Sequence, residues 1–289
     1  MALTRIDHVM ICVPDLQTGI ETYRKIGFDV HYGGVHPGRG TENAIAFFEH
    51  DYLELLSVRG GGQAEAGAAL VDFIARGGGL RYLALQSDDL AADVAAMRRR
   101  GVDVDDATDG GRRTPAGQEL RWRAARLGAG NSLPIFFIEH LTPLAERRRT
   151  VPRPGEHPNG VLRLERAYIA VPDVAKAAET YARVLGVPVP HAERGTVIKA
   201  NMVVFNLGPT GLTVAEPAEP GPAAAALASR GPGPFQVLFR TRSMDAAERW
   251  MREHGVAPPA RGIRNTGEHA MLVPPRDACG VSIGFAGPA

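Results

Sequence analysis

The stretch Ile6-Asp-His-Val-Met-Ile-Cys-Val-Pro-Asp15 recurs in the second half of the chain as Leu164-Glu-Arg-Ala-Tyr-Ile-Ala-Val-Pro-Asp173. Each copy alternates apolar residues as a half-buried strand does, then turns at Pro-Asp, where the aspartate can cap a following helix. The first continues through Glu21-Thr-Tyr23 to Gly27 and the second through Glu179-Thr-Tyr181 to Gly186, a glycine suited to the left-handed conformation after a helix. Weaker copies follow each. One is Leu80–Ser87, Asp88-Asp89, a helix over Leu90–Arg100 and Gly101; the other is Phe235–Thr241, Ser243, a helix over Met244–His254 and Gly255. Short strands come after each glycine: Ala44–Phe48 and Tyr52–Val58, Gln118–Leu127 and Pro134–His140, Val197–Phe205 and Leu212–Ala215, His269–Val273 and Val281–Phe285. Four strand-helix-strand-strand-strand units of about sixty residues therefore account for nearly the whole chain.

Breaks between the units fall where turn-forming residues gather. Arg59–Ala68 is rich in Gly and Ala and leads into a short helical pattern ending at Arg76; Pro143–Gly160 is rich in Pro and Arg; Glu216–Pro234 is rich in Pro, Ala and Gly. The middle break is the natural boundary. It gives an N-terminal domain over 1–145, with modules 4–58 and 79–142, and a C-terminal domain over 161–289, with modules 161–218 and 233–287.

Of 289 residues 44% are hydrophobic and 22% charged, with 33 basic and 32 acidic side chains for a net charge of +1. That is enough apolar material for a core, and no apolar run approaches the roughly 18 residues of a membrane span. A near-neutral balance removes the case for nucleic acid, which needs a concentrated basic surface. The arginine runs Arg98–Arg100 and Arg147–Arg149 read as solvated helix ends or linkers. Cys12 and Cys279 lack metal-type spacing and support neither a disulfide framework nor a cysteine-built zinc site. The first residues lack the basic and apolar segments of a signal peptide, so the expected compartment is the cytoplasm.

Tandem βαβββ units resemble the vicinal oxygen chelate superfamily, which includes glyoxalase I, extradiol dioxygenases, methylmalonyl-CoA epimerase and bleomycin-resistance proteins. Asp7-His8, Val13-Pro14-Asp15, the loop Gly33-Gly-Val-His-Pro-Gly-Arg-Gly-Thr41 with Asn43, Tyr52-Leu-Glu-Leu55 and Pro134-Ile-Phe-Phe-Ile-Glu139 are similar to its glyoxalase-like domain branch over residues 4 to about 142. Residues 161–287 resemble the superfamily only generically, with Val273-Pro-Pro-Arg-Asp-Ala-Cys-Gly280 like a final hairpin. The resemblance implies an α+β fold of four βαβββ modules paired into two open barrels. It also implies a divalent metal (Mn, Fe, Ni, Co or Zn) held in the cavity by residues of the first and last strands of the modules.

Strand parity tests that implication, since successive side chains point to opposite faces. Val9, Ile11 and Val13 suit the helix-packed face, which turns His8 to the concave side; Leu53 and Leu55 likewise turn Tyr52 and Glu54 inward. Leu83 and Leu85 put Tyr82 inside, and Phe136 and Ile138 on the helix face leave Phe137 and Glu139 inside, although a one-residue slip would exchange Glu139 for His140. His8, Glu54 and Glu139 are then the expected metal ligands, with Tyr82 at the fourth position in place of the usual His, Gln or Glu. The same parity in the second half gives Arg166, Thr213, Gln236 and Gly284, from which no metal site can be built. That half reads as a degenerate copy which packs against, covers or dimerises with the first, or binds an anion through Arg166.

Glu54 lies between leucines, where an unpaired charge is costly to bury. A turn alone does not require His36, Arg39, Thr41 and Asn43, so this loop is expected to touch substrate, Arg39 suiting a carboxylate or phosphate. Tyr52, Tyr82, Trp122 and Phe137 are expected as cavity walls. The chemistry expected of such a site is a metal-dependent lyase or isomerase of glyoxalase type, acting on a small substrate with vicinal oxygens by stabilising its enolate, with Glu139 or Glu54 as general base. Two alternatives stand beside it. One is a non-catalytic small-molecule binding protein of the bleomycin-resistance type, which would not need two inward carboxylates. The other is an extradiol-type dioxygenase, which needs two histidines at ligand positions. The expected partners are a small-molecule substrate and a second copy of the chain, with neither nucleic acid nor membrane.

Overall fold

In a computed structural model that describes residues 3–128, 133–257 and 259–288, the chain forms two eight-stranded sheets. The outer limits of the two expected domains, residues 1 and 289, lie outside the described residues. Module one comprises β1 (Leu3–Cys12), α1 (Leu16–Lys25), β2 (His31–His36), β3 (Thr41–Phe47) and β4 (Tyr52–Val58). Short helices α2 (Gln63–Ala66) and α3 (Ala68–Ala75) lead to β5 (Gly79–Ser87), α4 (Leu90–Arg99), β6 (Thr108–Arg113), β7 (Glu119–Arg126) and β8 (Ile135–His140). After α5 (Leu144–Arg148) come β9 (Val161–Ala170), α6 (Val174–Leu185), β10 (Ala192–Gly195), β11 (Ala200–Leu207) and β12 (Thr210–Pro217). Helix α7 (Pro222–Arg230) precedes β13 (Gly233–Thr241), α8 (Met244–Glu253), β14 (Ala260–Ile263), β15 (His269–Val273) and β16 (Ser282–Ala286).

The four long helices start as the repeat predicts. Asp15, Asp89, Asp173 and Ser243 each accept a hydrogen bond from a first-turn N–H, of Thr18, Ala92, Lys176 and Ala246 in turn, at 2.7–3.2 Å. Gly186 caps α6 in the left-handed region, φ 65°.

Within each sheet two modules meet through antiparallel first strands, β1 with β5 and β9 with β13. The first sheet, in the order β1-β4-β3-β2-β6-β7-β8-β5, closes into a barrel through the pairing of Val35 with Arg113. It thus differs from the open barrel expected, because β2 is a full strand that reaches β6. The second sheet remains open between β10 and β14, which are spanned by side-chain contacts such as Thr196 Oγ1 donating to the Ile263 carbonyl at 2.8 Å.

One core of buried residues joins the halves, with Phe28 and Phe48 packed on Phe239 at 5.0 and 5.2 Å between ring centroids. Val9, Ile11, Leu53 and Leu55 belong to this core. The concave face of the second sheet is filled: Tyr168, Phe235, Leu238 and Ala286 pack against Ala223, Ala226 and Leu227 of α7. Thr213 and Gln236 are buried there, and Arg166 stands 3.9 Å from Glu193. The first barrel keeps its interior open.

Candidate active site

A cavity of about 590 Å³ occupies the N-terminal barrel. His8, Glu54, His36, Arg39, Thr41, Asn43, Tyr52, Tyr82 and Trp122 all line it, so nine of the residues singled out in the sequence meet in one chamber. The presumed loop is a hairpin. Its strands β2 and β3 carry His36, Thr41 and Asn43 inside, and its tip, with Arg39, is exposed at the mouth.

Two expected residues are not in the chamber. Phe137 is fully buried in the core between the sheets, and Glu139 is absent from the cavity lining; Phe136, Ile138 and His140 face inward in their place. The register decides this: Phe137 pairs with Leu85 and Ala125, both core residues, and His140 pairs with the inward Trp122. In Ile135-Phe-Phe-Ile-Glu-His140 both faces are apolar, and period two then carries no information about which face is which.

His8 sits at the centre of the polar cluster. Its ring stacks on Tyr52 at 4.4 Å, and its Nδ1 lies 2.8 Å from Asp7 Oδ2. Asp7 also takes His140 Nε2 at 3.0 Å, so one fully buried carboxylate joins two imidazoles. Burial works to raise the Asp7 pKa, yet His140 and His8 outweigh it through charge and hydrogen bonding and hold it far below the usual carboxylate range. An ionised Asp7 can only accept. His8 Nδ1 therefore carries a proton, and Nε2 is the ring nitrogen turned to the cavity.

Facing that nitrogen, Glu54 Oε2 is 3.6 Å away, while Oε1 receives a 2.6 Å hydrogen bond from Asn43 Nδ2. His36 Nε2 is 3.8 Å from Oε1, and its Nδ1 is 3.0 Å from Thr41 Oγ1. Burial lowers the His36 pKa to about 4, more than Glu54 restores, so this imidazole is neutral near pH 7.

Sequence reasoning reached His140 only as the outcome of a one-residue slip, and missed Asp7 as its partner and two buried arginines. Arg112 of β6 and Arg147 of α5 line the cavity with under a tenth of their surface exposed. Arg147 belongs to a run expected to be solvated. Instead the segment after β8 packs on the barrel: Val151 joins Ile45, Phe47 and Tyr52 in an apolar cluster, which turns Arg147 inward. Gly33 has a steric reason, since a Cβ there would collide with Asn43 and Arg112.

The donors do not make the superfamily's metal site. Of its four positions only His8 and Glu54 offer ligands. Tyr82 takes the place of His8 in the second module, and the residue placed against β5 as Glu54 is against β1 is Phe136: Met10 pairs with Glu54, and its counterpart Ala84 pairs with Phe136. Glu139 faces away, and the Glu54 oxygen nearest His36 is already taken by Asn43. Among the described residues no three His, Cys, Asp or Glu side chains form a group that could hold a metal.

The Glyoxalase-like domain family matches residues 6–185, and the Glyoxalase/Bleomycin resistance protein/Dioxygenase superfamily matches residues 167–273. The chain belongs to the glyoxalase-like domain family, within the vicinal oxygen chelate superfamily. That superfamily includes glyoxalases, dioxygenases and bleomycin-resistance proteins, binds small molecules and commonly uses a divalent metal. Among solved structures the fold is similar to a hypothetical protein from Staphylococcus aureus, at TM-score 0.67 and 11% identity over 98% of this chain and 99% of that one. It is similar also to a mutant 4-hydroxymandelate synthase from Streptomyces coelicolor, at TM-score 0.68 and 16% identity over 99% and 93%. No curated protein matches the sequence. Among the described residues no helix is long and apolar enough to cross a membrane.

Proposed function

We propose that the N-terminal barrel is the chamber of a small-molecule isomerase or lyase that works by proton transfer on a compound with neighbouring oxygens, without a metal. The observation that carries this reading is the buried pair His8 Nε2 and Glu54 Oε2, held 3.6 Å apart on the cavity wall. An imidazole and a carboxylate side by side suit a substrate with two transferable protons on neighbouring atoms, and an α-hydroxycarbonyl has them: its O–H and the acidic C–H beside the carbonyl. Glu54 takes the proton from carbon. His8, oriented by Asp7, takes the hydroxyl proton and returns it to the former carbonyl oxygen; Glu54 returns its own to the adjacent carbon. Burial away from water strengthens every charge interaction in this exchange.

The test uses chelator-treated protein in deuterated water with hydroxypyruvate and dihydroxyacetone, following exchange of the C–H protons by nuclear magnetic resonance. Exchange is expected with wild type, falling by about a hundredfold or more in Glu54→Gln, as removal of a general base does. Exchange that appears only after a divalent metal is added would return the site to metal-assisted enolisation and defeat the metal-free reading. Tight binding of both compounds without exchange would make the chamber a sequestering site.

A further inference from the structure

We infer that Arg112 and Arg147 form an anion-holding subsite in this chamber, built to take the carboxylate of an oxygen-rich acid whose neighbouring oxygens face His8 and Glu54. The inference deepens the reading of the barrel as a substrate chamber and rests on it. The two arginines reach the cavity from separate elements, β6 and α5, yet both act electrostatically on the same Tyr52 hydroxyl and on each other. Both are nine-tenths buried or more. Arg112 donates Nη1 to the Gly33 carbonyl. Arg147 Nε and Nη1 are buried with no hydrogen-bond partner, and no carboxylate lies within ion-pair distance of either guanidinium among the described residues.

A buried guanidinium with idle donors is costly unless something completes it. Its planar fork matches a carboxylate, with two parallel N–H bonds to two oxygens. Charge points the same way. Glu54 is the buried acid lining this chamber, and Asp7 behind it is engaged by two imidazoles. Among the buried lining residues, two guanidiniums stand against one carboxylate, which leaves room for one negative charge, that of a carboxylate. Arg39, expected from the sequence to serve this purpose, is exposed at the mouth instead.

The test titrates full-length, chelator-treated protein with hydroxypyruvate, neutral dihydroxyacetone and inorganic phosphate by calorimetry. Hydroxypyruvate is expected to bind at least about tenfold more tightly than dihydroxyacetone, and Arg147→Met to abolish that preference while leaving dihydroxyacetone within about twofold. Replacing a buried ion by an apolar side chain of similar volume often preserves the fold. Should Arg147→Met fail to fold, the wild-type preference and the Arg112→Lys and Arg147→Lys variants, which keep the charge but lose the fork and so retain only part of the preference, decide the matter. Equal affinity for the charged and neutral compounds, an Arg147→Met protein that binds hydroxypyruvate as wild type does, or tighter binding of phosphate than of hydroxypyruvate overturns the assignment. Glu54→Gln separates this inference from the proposed chemistry: it is expected to bind hydroxypyruvate at least as tightly as wild type while exchanging protons about a hundredfold or more slowly.

Discussion

Glu54 and Asp7 are both buried carboxylates, and their partners give them different work. Asp7 accepts from two imidazoles and has no acceptor capacity turned to the cavity, so it positions His8 rather than reacting. Asp7→Asn is expected to lower the proton-exchange rate by about a hundredfold, because an amide offers a donor where His8 needs an acceptor and so favours the wrong tautomer. The check is the pH profile of exchange, which a purely structural defect would leave in place. His36 carries a stability effect of the opposite kind. Its folded pKa is lowered to about 4 by burial, so the stability it contributes is present above the unfolded pKa near 6.5 and is lost as pH falls through that window. Between about pH 7.5 and 5, urea denaturation of wild type should lose about 2 kcal/mol more than that of His36→Gln.

At the scale of elements, β8 and α5 decide which side chains reach the chamber. The pairing of β8 with β5 and β7 sends His140 in and Glu139 out. Glu139→Gln should therefore leave proton exchange and hydroxypyruvate affinity within about twofold of wild type, whereas His140→Phe should reduce exchange, since Asp7 loses one of its two donors. Kinetics of the two variants side by side check the register directly. Little of this was legible beforehand. The hairpin β2–β3 showed its polar residues because Gly, Pro, His and Asn stand out from a strand, whereas Arg112 and Arg147 sit among other arginines and only the packing of Val151 and the space over Gly33 pick them out.

Across the whole molecule, the halves are held by apolar stacking and by polar ties such as Asp51, whose side chain accepts from the Leu164 N–H at 2.9 Å. Burial pushes the Asp51 pKa up to about 7, more than that hydrogen bond lowers it. A raised folded pKa contributes stability that is complete below the unfolded value near 4 and is lost as pH rises to about 7. Asp51→Asn keeps an acceptor for Leu164 and should remove that decline, worth about 4 kcal/mol between pH 4 and 8. Thermal unfolding of the two proteins across this range checks it. The second half, its concave face filled by α7, shares one apolar core with the first.

By itself the sequence determined the four βαβββ units, their helix caps, and the inward placement of His8, Tyr52, Glu54 and Tyr82, because repetition, capping and two-residue periodicity are local properties of the chain. Tertiary structure alone decided the closure of the first barrel, the choice of His140 over Glu139, the joining of two imidazoles by Asp7, and the turning of Arg112 and Arg147 into the chamber. Each of those depends on which distant strand or segment lies alongside, and where a strand is apolar on both faces or an arginine lies among arginines, no local pattern distinguishes the inside from the outside.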